Sequence, residues 1–153
     1  MDKIDKKILD SLQNDATLSV ADIAERVGLS ATPCWRRIRM LEDAGVIESR
    51  VALLNPEKLN LGVTVFVGVK TSQHNTKWLT RFAKAVADID EVVEFYRMSG
   101  DTDYLLRIVA PDIAGYDAVY KHLIQAADLS DVSSSFAMER IKFTTALPLD
   151  YVS

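Results

Sequence analysis

Between Ser30 and Leu41 the chain carries Arg36, Arg37 and Arg39 with no carboxylate before Glu42, and guanidinium groups at that density suit phosphates and the edges of bases. At about 100° per residue on a helix, Cys34, Ile38 and Leu41 fall on one arc, Thr32, Arg36 and Arg39 lie broadly opposite, and Arg37 sits on the flank. One side packs, and the other is free to enter a DNA groove. The N-terminal part of such a helix supplies base contacts, so Thr32 and Arg36 are expected to read sequence and Arg37 and Arg39 to hold phosphate. Ser30, as the capping residue, completes the expected DNA-binding set. Without the turn before it, an ordinary solvated helix face would be the better reading.

That turn is legible. Ser19 with Asp22 three residues on forms a variant capping box, Gly28 can take positive φ after Val27, and Ser30 can cap the next helix. Two adjacent starts and one stop specify a helix-turn-helix. A first helix, with Asp2 as its N-cap, offers Ile4, Ile8, Leu9 and Leu12 as its apolar stripe, and Val20, Ile23, Ala24 and Val27 complete the small core. Trp35 lies beyond the apolar arc and is expected to pack partly. After Gly45, Val46 to Leu54 alternates loosely and suits a wing or connecting strand, which Asn55 and Pro56 interrupt.

The second half reads as strand Val63 to Lys70, helix Thr76 to Ala87 and strand Val92 to Met98. Strand Tyr104 to Ala110, a helix opened by Pro111 and Asp112 that runs through Ala127, and an extended run from Val132 to Phe143 follow. Trp78, Phe82, Ala85, Val86 and Ile89 fall at helical spacing in the first of these helices. Ile113, Tyr116, Val119, Tyr120, Leu123 and Ile124 form the stripe of the second. The order strand, helix, strand, strand, helix, strand is the ferredoxin-like βαββαβ arrangement, an antiparallel sheet with both helices on one face. Val63, Val65, Val67 and Val69 alternate with Thr64, Phe66 and Gly68, so either register leaves apolar surface on the open side, which a second copy would bury.

Composition narrows the function classes. With 48% hydrophobic and 26% charged residues the 153-residue chain is globular, and no apolar run approaches the roughly 18 residues of a membrane span. The N-terminus begins a charged amphipathic helix in place of a signal peptide, so the expected location is the cytoplasm. Cys34 is the sole cysteine, and His74 and His122 stand singly, so no disulfide, metal site or cofactor is expected. The net charge is −4, and residues 1–50 carry eight Lys or Arg against nine Asp or Glu. Local placement therefore decides the field near a phosphate, because the Debye length is about 8 Å at physiological salt.

Catalytic motifs do not support an enzyme. There is no phosphate-cradling glycine loop, nucleophile elbow or metal-ligand spacing. Asp101 and Asp103 are two apart in a turn and need not converge on one reacting atom. A sensor acting through protein partners, with its helical module serving dimerisation, is the alternative to a DNA-binding regulator.

Four stretches carry a family resemblance: LSATPCWRRIRMLEDAGVI from Leu29 to Ile47, GDTDYLLR from Gly100 to Arg107, VSSSFAME from Val132 to Glu139, and KFTTALPL from Lys142 to Leu149. In that order and spacing the chain resembles the Lrp/AsnC, or feast/famine, regulators over essentially its whole length. The resemblance implies an α+β chain with a winged helix-turn-helix DNA-binding domain (residues 1–50), a connecting strand and linker (51–62), and a ferredoxin-like effector-binding and oligomerisation domain (63–153). It further implies double-stranded DNA and an amino-acid effector as partners, and assembly into homodimers or octamers. The positions that look like the family's ligand loops are Ser99, Gly100, Asp101 and Asp103 in the turn, and Ser133, Ser134 and Ser135. A hairpin turn and ordinary strand positions are the competing readings for those two groups.

Overall fold

Side-chain caps set out the N-terminal helices. The computed structural model describes residues 1–152, and in it α1 spans Lys3–Asn14, α2 Val20–Val27 and α3 Ala31–Asp43. Asp2 Oδ1 accepts from the Ile4 and Asp5 N–H groups at 2.9 and 2.8 Å, and Asp5 Oδ2 accepts from the Asp2 N–H at 3.0 Å. Ser19 and Asp22 repeat the reciprocal pattern on α2, each box satisfying donors that a helix start leaves open. Gly28 then turns the chain at φ +76°, a conformation costly for residues with a Cβ. Ser30 sits at the N-cap of α3 with extended backbone but makes no side-chain capping bond.

Ile8, Leu9, Leu12, Ile23, Ala24, Val27, Cys34, Ile38 and Leu41 form one buried cluster, as their spacing predicts. Two compact units divide the chain: Met1–Leu53 together with the segment from Lys142 onward, and Leu54–Ile141. The placement of that last segment differs from the expected 63–153 domain. Its backbone finds partners on α1, where the Gln13 amide accepts from the Leu147 N–H at 2.9 Å and donates to the Leu147 carbonyl at 3.1 Å. Lys6 Nζ donates to the Val152 carbonyl at 2.6 Å, and Leu149 packs against the helical core. Residues 46–54 form no strand. The Val46 and Ile47 N–H groups instead close onto the Leu41 carbonyl, and Val51, Leu53 and Leu54 are exposed.

In the second unit β1 (Val63–Lys70), α4 (Thr76–Ala87), β2 (Val92–Arg97), β3 (Tyr104–Ala110), α5 (Ile113–Ala126) and β4 (Asp131–Phe136) follow in the predicted order. The sheet order is β2-β3-β1-β4 with every pair antiparallel, which is the ferredoxin-like topology. Val65, Val67 and Val69 are buried against Trp78, Phe82, Leu106, Ile108 and Leu123, so the period-2 pattern assigns the helix-facing side. Asn75 and Asp112 cap α4 and α5 through their side chains. Helix α5 buries a narrower arc than expected, Tyr116, Val119 and Leu123. Ile113 stands exposed in its first turn and Ile124 on its rim. Strand β4 ends at Phe136, short of the expected Phe143, because the Ala137 N–H to Thr64 carbonyl bond is the last that β1 offers.

The face away from the helices carries Phe66 and Gly68 of β1, Leu105 and Arg107 of β3, Tyr96 of β2, and Ser133 and Ser135 of β4, paired across in register. Phe66 and Tyr96 are exposed. Arg107 Nε meets Glu94 Oε2 at 3.1 Å on this face.

Candidate nucleic-acid interface and effector turn

Burial of Cys34, Ile38 and Leu41 fixes the rotation of α3 and turns Thr32, Trp35, Arg36 and Arg39 outward. The three arginines have different surroundings. Arg36 is exposed and makes no ion pair among the described residues. Arg39 Nη1 lies 3.0 Å from Glu42 Oε2, and Arg50 Nη2 lies 2.8 Å from Glu42 Oε1. The Arg39 pair joins an exposed guanidinium to a half-buried carboxylate one turn on, and a pair this open to water contributes little.

Arg37 is placed otherwise than expected. Its Nη1 donates to Asp2 Oδ2 at 2.6 Å and to Asp5 Oδ1 at 2.7 Å, which ties α3 to the start of α1. The hydrogen bonds to Asp5 and then to Asp2, with the charges of both carboxylates, raise its pKa above the ordinary guanidinium value. The Asp5 N–H, and then Arg37, hold the Asp2 carboxyl below its usual range. The flank position was visible in the helical wheel, but the acids it meets lie more than thirty residues away in sequence. Nothing in the local pattern announced them.

Ser30 and Thr32 are exposed at the beginning of α3. With no side chain on the first-turn N–H groups of α3 and no acid in that turn, this end of the helix carries the positive end of the dipole toward solvent. Trp35 is 52% exposed, so its packing is partial.

The second candidate site is the β2–β3 turn. Gly100 takes φ +100°, and Ser99, Gly100 and Asp101 are exposed at the tip. Asp103 is anchored: its N–H donates to the Val69 carbonyl at 3.0 Å and its carbonyl accepts from the Met98 N–H at 2.8 Å. Its Oδ2 accepts from the Thr71 N–H at 2.9 Å. Thr102 folds over Gly68, where a Cβ would stand 3.4 Å from the Thr102 methyl. Gly68 pairs with Ser133, so the turn and Ser133 share one corner of the open face.

The three serines do not act as a set. Ser133 and Ser135 project to the open face, whereas Ser134 faces the helices and shares a hydrogen bond with the Tyr116 hydroxyl. Burial raises the Tyr116 pKa, against the lowering effect of that bond. Thr71, and the place of Gly68 beneath the turn, escaped the sequence reading, because a single buried threonine and a strand glycine carry no motif. Among the described residues no group of three or more His, Cys, Asp or Glu could hold a metal ion. No described helix is long and apolar enough to cross a membrane.

A helix-turn-helix with an outward cationic helix, followed in the chain by an antiparallel α+β ligand-domain fold, defines a DNA-binding regulator class. The sequence matches the winged helix-turn-helix DNA-binding family model over residues 1–48 and the Lrp/AsnC ligand binding domain over residues 64–147. It is 50% identical to the DNA-binding transcriptional activator DecR of Escherichia coli, over 98% of this chain and 99% of that one. The crystal structure of an AsnC family transcriptional regulator from Agrobacterium tumefaciens is 61% identical, covers 100% of both chains and superposes with a TM-score of 0.97. The transcriptional regulator NMB0573 from Neisseria meningitidis, solved as an L-Met complex, is 38% identical, covers 100% of this chain and 99% of its own, and gives a TM-score of 0.94. The chain belongs to the Lrp/AsnC family of transcriptional regulators.

Proposed function

We propose that this regulator docks α3 in the major groove, with Thr32 and Arg36 toward the bases and Ser30 and Arg39 toward phosphates, and that an amino acid changes its DNA occupancy or assembly. The observation that carries the reading is the outward face of α3, whose Arg36 has no carboxylate partner among the described residues. Arg37 is the tie between α3 and α1 in this proposal, and its phosphate role is set aside.

The effector reading rests on the corner formed by the turn at Ser99, Gly100, Asp101 and Asp103 and by Ser133. A carboxylate receives an α-ammonium group, a hydroxyl donates or accepts, and glycine lets a ligand approach the backbone. The L-Met complex of the Neisseria regulator supports an amino acid as the ligand class. Phe66 and Tyr96 on the open sheet face support a homodimer through that face, with the octamer as the larger symmetric form. Acting in the cytoplasm and catalysing no reaction, such a dimer reads two half-sites roughly 34 Å apart or at multiples of it.

Selection of bound fragments from random duplex DNA, followed by gel shifts with and without each common L-amino acid, tests the reading. A near-palindromic site whose occupancy changes with one amino acid is the expected result. Binding without sequence preference, or no binding at all, overturns it and favours a sensor that works through protein partners.

A further inference from the structure

We propose that Thr71 is a positioning residue for the effector turn: it fixes the Asp103 carboxylate so that one oxygen stays available to a ligand's ammonium group. The inference rests on the effector reading above. Thr71 follows β1 directly and is 5% exposed, the one buried polar or charged residue among those described. Its N–H holds Asp103 Oδ2 at 2.9 Å, while the Asp103 backbone is held on both sides by Val69 and Met98. Both the backbone and one carboxylate oxygen of Asp103 are thereby committed. Oδ1 makes no hydrogen bond among the described residues and is the oxygen left for a cation.

The hydroxyl of Thr71 fixes Thr71 in turn. It accepts from the Gln73 N–H at 3.0 Å and donates to the Asp128 carbonyl at 3.4 Å, using the one hydrogen and a lone pair that a hydroxyl has. Nearby, the Ser130 N–H donates to the Lys70 carbonyl at 2.8 Å. The exit of β1, the loop into α4 and the α5–β4 loop therefore meet at one hydroxyl, and the backbone N–H of the same residue aims the carboxylate of a fourth segment.

Thr71→Val keeps the shape and the backbone N–H but removes the hydroxyl, Thr71→Ser restores it, and Asp103→Asn keeps an acceptor for Thr71 while removing the charge. Each full-length variant is titrated calorimetrically with the amino acid that stabilises the wild type in a thermal-shift screen of the common L-amino acids. T71V is expected to bind about tenfold more weakly, the equivalent of roughly 1.4 kcal/mol, with T71S near wild type and DNA affinity without amino acid unchanged. In the D103N background T71V is expected to add no further loss, because it acts through that carboxylate. Wild-type affinity in T71V, or a loss fully additive with D103N, overturns the proposal. If T71V fails to fold, hydrogen exchange on the wild type decides: added protection of the 71–73 amides on amino-acid binding supports it, and unchanged exchange overturns it. A wild type that responds to none of the amino acids overturns the effector reading and this inference together, whereas a responding wild type with an indifferent T71V overturns only the latter.

Discussion

Arg37 stands 2.6 Å from Asp2, Nη1 to Oδ2, so the residue that caps the first helix also holds the third. The same guanidinium reaches Asp5 at 2.7 Å. Two capping-box acids thus serve a tertiary contact, and the orientation of α3 depends on the start of α1.

Arg37→Ala is therefore expected to lower the melting temperature of the protein and to leave the salt dependence of DNA binding close to wild type. In a cycle with Asp2→Asn the two substitutions are expected to be strongly non-additive, since each removes the same contact. A salt slope flattened by about one unit would return Arg37 to a phosphate.

Arg36→Ala is expected to relax the preference at one base pair, costing about 1–3 kcal/mol on the selected site if the contact is bidentate. The loss on unrelated sequences should be much smaller. Equal weakening on all sequences, measured by competition gel shifts, would reassign Arg36 to the backbone of the duplex.

Acid should loosen the helical unit. The folded Asp2 carboxyl is depressed first by the Asp5 N–H and then by Arg37, and that of Asp22 by the Ser19 hydroxyl and N–H, both from an ordinary value of 3.8. A carboxyl with a lowered folded pKa contributes its full stabilisation above the unfolded value and loses it as pH falls through the folded one. Thermal melts should therefore be flat with respect to these two groups at neutral pH and fall below about pH 4, with Asp2→Asn removing part of that fall. A profile unchanged by the substitution would show that the capping box does not contribute.

Ser134→Ala should leave the buried Tyr116 hydroxyl without its partner and cost about 1–3 kcal/mol in denaturant unfolding. Ser133→Ala should be nearly neutral for stability and act on effector binding alone. Interchanged behaviour would place Ser134, and not Ser133, at the ligand.

Gly100→Ala meets no side chain within 4 Å, so its effect isolates the backbone at φ +100°. A stability loss of about 1–3 kcal/mol is expected from the strained conformation. An unchanged midpoint would mean that the turn relaxes freely.

Much of this was readable in advance, for identifiable reasons. Period 3.6 in Ile8, Leu12, Ile23, Val27, Cys34 and Ile38, and period 2 in Val65, Val67 and Val69, each match the observed buried set, because burial acts on local periodicity. The caps at Asp2 and Ser19 are local chemistry and were equally visible. What escaped was contact at a distance in sequence: Arg37 with Asp2 and Asp5, Gln13 with Leu147, and Thr71 with Asp103 and Asp128. The strand expected at residues 46–54 shows the same limit, since loose alternation gives no partner to pair with. Ser133 to Ser135 read as one motif although the pleat divides them between two faces.

Cys34 offers a practical consequence. It is fully buried in the helical core, it is the sole cysteine of the sequence, and burial pushes its thiol above the usual range. Alkylating reagents can then reach it only when those helices part, because the thiolate is the reactive form and must be exposed. Timed labelling of the native chain would act as a chemical stopwatch for breathing of the N-terminal module alone, leaving the sheet silent.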